Sequence, residues 1–366
     1  MAAGGVPAPA RRRIGYFDVA KLIAMASVIA GHTAVRFGSA KTLALVTTFQ
    51  MPLFFILSGY FMHSDGSFRL KKESRALLLP YAVTALGVVA ALCVTNLVLR
   101  DLGSTRELFS TWLNAAVFAE GDLVANPLWP QGARIGAIWF LWALFWARLE
   151  VALVLRLPRP ARAPLVVAGF AVALVSARHV FLPFSLQPGV CAALLVYLGQ
   201  WLREGGRLER LLSVRFLWVP LALVWAYAFV AFEGFSMAVA DYGRTALALV
   251  RNLTGGVAGT ICVVWACRWL EGRLGETRLW SALSRMGRVT LVVLCVHLFE
   301  DDVLRWPQMV EGWSAAFPWP RSWLLLLAVR IVADFLVALL IDRVASALSS
   351  RIDARRGEQV EACRDR

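Results

Sequence analysis

Apolar residues along this chain come in long runs separated by short charged or Pro- and Gly-rich stretches. A membrane span needs about 20 predominantly apolar residues. Runs of that kind occupy residues 14–37, 43–62, 77–99, 135–155, 164–182, 190–202, 216–232, 246–267, 287–304 and 322–346, ten in all with the sixth the shortest. The pattern predicts an all-α fold, a polytopic transmembrane helical bundle of about ten helices. Residues 1–13 form an amino-terminal segment, 14–346 the transmembrane domain and 347–366 a charged tail. Arg11, Arg12 and Arg13 precede the first run, but Ile14 to Phe37 is too long for a signal core and lacks a small-residue cleavage site, so it reads as an uncleaved span. The longest connection, roughly 100–134, includes "GDLVANPLWPQG", which is expected to lie over the outer face. No internal repeat and no separate soluble domain is visible.

Charge sets the orientation. Arg69, Lys71, Lys72 and Arg75, then Arg156, Arg159 and Arg162, then the arginine-rich stretches 203–215 and 268–288 fall on the side of the amino terminus. The opposite connections hold at least as many acids as bases. The positive-inside rule is therefore met with both termini cytoplasmic. This matters for the composition: a net charge of +14 and a pI near 10.3 suggest nucleic acid in a soluble protein, but at 59% hydrophobic residues and a mean hydropathy of +0.64 the excess base is accounted for by topology. No nucleic-acid partner is expected. The six cysteines have no metal-ligand or disulfide spacing, and no metal is expected.

Ionisable groups inside hydrocarbon are costly and mark functional sites by default. The spans carry Asp18, Lys21, His32, Arg148, Glu150, Arg178, His179, Arg251, His297, Arg330 and Asp334. Several have simple explanations. Asp18 with Lys21 (i,i+3) and Arg330 with Asp334 (i,i+4) are spaced to neutralise each other on one helix face. Arg148 and Glu150 are near enough to a span end to snorkel. His32 and His297 lie in apolar runs with no charged residue within one turn on their N-terminal side, so they stand out. At 1.5 Å per residue His32 is about 20 Å along its helix from Asp18, and Gln50 falls at about 10 Å depth from the far face, which puts the two at one level beside a kink at Pro52.

Five stretches then resemble one family in order. "FDVAKLIAMASVIAGH" (17–32), "FQMPLFFILSGYF" (49–61), "RLKKESRALLLPY" (69–81), "IWFLWALF" (138–145) and "MGRVTLVVLCVH" (286–297) are similar to motifs of the acyltransferase-3 integral-membrane O-acyltransferases, which modify sugars of polysaccharides, glucans and glycosylated natural products. Three positions depart: Gln50 stands where His is common, Leu294 where Tyr is common, and the basic spacing reads Lys72 to Arg75.

The resemblance implies transfer of an acyl group, acetyl by default, from cytoplasmic acetyl-CoA to a sugar hydroxyl. Such transfer needs a base for the hydroxyl and donors for the tetrahedral oxyanion. His32 is the expected base, with Asp18 and Ser58 as further catalytic groups. Gln50, His297 and Trp139 are expected at the acceptor, and Lys21, Arg69, Lys72 and Arg75 at the coenzyme A phosphates. Arg251 or Arg330 is expected to serve the oxyanion or acceptor. The location implied is a bacterial inner membrane. Buried His, Arg and Asp also mark proton-coupled transporters, which is the rival expectation.

Overall fold

The computed structural model describes residues 14–37, 40–100, 102–123, 126–127, 132–304, 306, 309 and 322–364. The expected amino-terminal segment 1–13 and half of the expected cover over the outer face, residues 124–125 and 128–131, lie outside them. All ten apolar runs are helical. They form α1 (Gly15–Phe37), α2 (Ala40–Thr47) with α3 (Gln50–Tyr60), α4 (Leu70–Leu99), α6 (Trp139–Val154), α7 (Arg159–Ala177), α8 (Leu186–Arg203), α10 (Trp218–Val230), α11 (Ala246–Leu274), α12 (Arg278–Arg288) with α13 (Thr290–Val303), and α14 (Ser322–Arg364). Two shorter helices lie between them, α5 (Thr105–Phe118) and α9 (Arg207–Ser213). Among the described residues there is no strand.

Seven of these segments are long and apolar enough to cross a membrane alone, and two bent pairs raise the total to nine. Among the described residues this is in keeping with the expected bundle of about ten helices. The sixth and seventh runs, α8 and α10, belong to one chain segment bent by 94° at the break between α9 and α10, and α10 has only 13 residues. The second bent pair is α12 with α13, at 63°. At the carboxyl end α14 runs unbroken to Arg364, past the boundary expected at 346.

Two prolines explain two irregularities. A proline ring clashes with the carbonyl four residues earlier and offers no N–H. For Pro52 that carbonyl belongs to Thr48, and the second span is broken at Thr48–Phe49 so that Pro52 falls in the first turn of α3. The expected kink is thus a break, and its polar groups are satisfied locally: Thr48 Oγ1 donates to Leu45 O (2.7 Å) and accepts from Trp225 Nε1 (2.8 Å). For Pro80 the carbonyl is that of Ala76, inside a π-helical turn, Ser74–Leu78, that widens α4 just before the proline.

Helices α3 and α8 cross in close contact. A Cβ added at Gly59 would stand 1.8 Å from Val196 O, and one at Gly199 would stand 1.9 Å from Ile56 O. Two glycines thus let the backbones touch, the packing device of membrane helices. α8 also packs on α6 and α7, α10 on α11, and α1 on α12. α4, α7 and α14 present most of their apolar surface outward, which suits lipid. Arg203 Nη1 bonds Met62 O and Tyr60 Oη bonds Glu209, tying the end of α3 to α8 and α9 at one end of the bundle. His32 lies toward the other end.

Candidate active site

At that other end α1, α13 and α14 bring six polar side chains together. Helix spacing supplies the first step: His297, Glu300 and Asp301 are at i, i+3 and i+4, one face of α13. The second step is packing. His32 Nδ1 lies 3.3 Å from Asp301 Oδ2, and the His32 and His297 rings meet edge to face at 5.1 Å. His297 Nδ1 is 2.8 Å from Glu300 Oε1 and 3.0 Å from Asp334 Oδ2.

Arg330 holds the acids in place. It is fully buried and donates through Nε and Nη2 to Glu300 Oε1 (2.9 and 2.6 Å), through Nη2 to Asp301 Oδ1, and through Nη1 to Thr33 Oγ1 (3.0 Å). Trp306 Nε1 donates to the other Glu300 oxygen, and the Trp306 ring lies 5.5 Å from the guanidinium. The expected Arg330–Asp334 pair is therefore wrong. The guanidinium reaches across to α13 while Asp334 turns to His297, because the carboxylates of α13 face Arg330 at closer range.

As a metal site the cluster offers His297, Glu300 and Asp334, whose ligand atoms lie within 4.8 Å of one another. Arg330 and Trp306 already donate to the Glu300 oxygens, so the positions a cation would take on that carboxylate are filled from the protein.

His32 faces a cleft of about 410 Å³. Its lining includes Gln50, Trp139, Arg134, Asp122, Phe235 and Asp241. Gln50 is buried, its Oε1 has no partner, and its amide stands 3.8 Å from a Cβ built on Gly31, so His32 and Gln50 share a level as expected. Below the cleft is a second cavity of about 260 Å³, almost wholly apolar, whose far end carries Lys21, Ser58 and Arg148. The two cavities adjoin, since Val28, Met51 and Ala137 line both. By helix rise the distance from Lys21 to His32 is roughly 16 Å.

The expected site residues thus fall into two groups. His32, Gln50, Trp139 and His297 assemble at the cleft. Asp18, Lys21 and Ser58 do not: Lys21 Nζ pairs with Asp18 at 2.6 Å and Ser58 accepts from Arg148 Nη1 at 3.1 Å, all at the far end of the apolar cavity. Arg148 also pairs with Glu73 at 2.9 Å, both side chains being partly buried. Arg69, Lys72 and Arg75 are exposed around the first turns of α4 and line neither cavity. Arg251 pairs with Glu233 at 3.3 Å outside the cleft lining, and Arg330 is consumed by the acids. The cleft's guanidinium is Arg134, which sequence reasoning passed over together with Glu300 and Asp301. For the two acids a signal existed in "HLFEDD", which places them one turn after His297.

Outside the spans, Glu120 is fully buried with neither carboxylate oxygen partnered, and burial pushes its pKa from 4.5 up to about 8.

A bundle of apolar helices enclosing a histidine–carboxylate pair beside a polar cleft, with an apolar cavity adjoining that cleft, defines a class of integral membrane protein. The acyltransferase domain family matches residues 14–341, and the chain belongs to that acyltransferase-3 family. No curated protein and no solved structure matches the chain.

Proposed function

We propose that this protein moves an acyl group, acetyl by default, from acyl-coenzyme A to a hydroxyl of a sugar or glycan acceptor. The observation that carries the reading is the His32–Asp301 pair facing a polar cleft that adjoins an apolar passage. A carboxylate only accepts hydrogen bonds, so Nδ1 of His32 carries the proton and Nε2 is left as the base. Asp301 steadies the ring and stabilises the imidazolium that forms, as the buried acid does in hydrolase triads.

The acceptor hydroxyl binds in the cleft, where Trp139 and Phe235 give a sugar apolar faces and Asp122, Asp241 and Gln50 give it hydrogen-bond partners. Its oxygen loses a proton to His32 and attacks the thioester carbonyl. The Gln50 amide and Arg134, both in the cleft lining, serve as donors to the oxyanion. Collapse expels the coenzyme A thiolate, which takes the proton from His32. The donor's thioester arm lies in the apolar passage, with its charged end beyond Lys21 and Arg148. With the basic connections inside, this orientation draws the donor from the cytoplasm of a bacterial cell and acts on an acceptor across the inner membrane.

The test is thiol release from acetyl-coenzyme A by detergent-purified protein with a panel of sugar acceptors, in wild type and His32→Ala. Acceptor-stimulated release in wild type, lost in a folded His32→Ala that still binds donor, is the expected result. No binding of any acyl-coenzyme A by folded wild type overturns the donor assignment.

A further inference from the structure

A further cavity of about 840 Å³ lies apart from the cleft and the apolar passage, sharing no lining residue with either. It lies at the end of the bundle where α8 finishes and α7 begins, and four arginines line it: Arg159, Arg162, Arg203 and Arg207. The only carboxylate in its lining is Glu204, 3.4 Å from Arg207. Arg159 has no hydrogen-bond or ion-pair partner among the described residues, and Arg162 bonds only the Leu157 carbonyl through Nε (2.9 Å).

Two further features point to a ligand. Gln200 is 1% exposed, lines the cavity, and neither its amide nitrogen nor its amide oxygen has a partner. A buried unpaired amide is costly, and satisfied ones are the rule. Topology accounts for arginines on this side but not for an orphaned amide among them. Second, Arg159 and Arg162 occupy the first turn of the 19-residue α7, which contains no acid. Cations there oppose the helix dipole, whereas an anion on the same spot satisfies both.

We infer that this cavity is a binding site for a phosphate group, held by Arg159 and Arg162 with Gln200 completing its hydrogen bonds. Guanidinium matches phosphate oxygens with paired donors, and the volume accommodates the body of a headgroup or nucleotide as well as the phosphate. The ligand is a phosphate ester, either the headgroup of an anionic phospholipid or a soluble nucleotide phosphate. The site stands whether or not acyl transfer is the reaction.

Native mass spectrometry of the full-length protein in detergent tests it with three probes: phosphatidylglycerol, adenosine 3′,5′-bisphosphate, and diacylglycerol as the lipid without phosphate. Arg159→Gln with Arg162→Gln removes the cations from a half-exposed surface with little risk to folding, and Gln200→Leu removes the amide. The expected result is that wild type binds a phosphate probe, that the double variant binds it on the order of tenfold or more weakly, that Gln200→Leu is also weaker, and that diacylglycerol retention is unchanged. Loss confined to phosphatidylglycerol identifies a lipid site, and loss confined to the bisphosphate identifies a soluble ligand. If folded wild type retains neither phosphate probe, or if the double variant retains both as well as wild type does, the inference is wrong.

Discussion

Replacing Asp301 by Asn keeps the size of the side chain and reverses what it offers to His32. Arg330 decides which way the amide turns. Its Nη2 donates to Asp301 Oδ1, so in the variant the amide oxygen stays with the guanidinium and the NH₂ faces His32. The NH₂ donates, Nδ1 must accept, and the ring proton moves to Nε2, leaving no base toward the cleft. Loss of base and orientation of this kind costs about three to four orders of magnitude in kcat, which is about 4–5 kcal/mol in the barrier. The effect on folding is smaller. One charge-assisted hydrogen bond contributes about 1.5–3 kcal/mol, while Arg330 keeps both its bonds to Glu300. Acceptor-dependent thiol release should therefore collapse in a protein that still unfolds cooperatively and still binds donor with unchanged Kd. Asp301→Asn with at least a tenth of wild-type kcat would refute the pairing as the source of the base. A parallel loss of kcat and donor affinity would instead mark Asp301 as purely structural.

Three other outcomes follow from the same geometry. Arg330→Met leaves Glu300 and Asp301 buried without their cation, which should destabilise the protein by about 3–5 kcal/mol; chemical unfolding in detergent measures it, and near-neutral stability would show that the acids neutralise each other by sharing protons. Glu120 holds its proton more tightly in the folded than in the unfolded chain, so its contribution is complete below about pH 4.5 and is lost as pH rises to about 8. Glu120→Gln should therefore match wild type in thermal unfolding at pH 5 and exceed it at pH 9, and a gap independent of pH would contradict the buried-carboxylate account. Ala137→Phe fills the neck where the passage adjoins the cleft, so it should abolish acyl transfer while leaving nucleotide binding within about twofold; unchanged turnover would show that the thioester travels elsewhere.

The helices were legible because their causes are local. An apolar run long enough to span a bilayer forms its own backbone hydrogen bonds, so every one of the ten runs is a helix. Pro52 announced where that regularity would fail, and the clash with the carbonyl four residues earlier set the break at Thr48–Phe49; the same clash accounts for the wide turn before Pro80, which was not read from the sequence. Cost also made part of the site legible: a histidine or arginine in hydrocarbon needs a reason, and His32, His297 and Arg330 all lie in the cluster. The family motifs added the chemistry. What spacing along one helix cannot express is which partner wins. Arg330 and Asp334 had the separation of a pair, yet α14 packs against α13, where two carboxylates on one face outcompete Asp334 for the guanidinium. Likewise Asp18 and Ser58 shared motifs with His32 and Gln50 but lie toward the far end of the apolar cavity. His32 meets Asp301 across 269 residues of chain, and the apolar passage is bounded by helices far apart in sequence. Sequence determined which segments would be buried in the membrane and which polar groups would have to be explained there; only the packing of the helices, through close contacts and competition for buried charge, decided which of them meet.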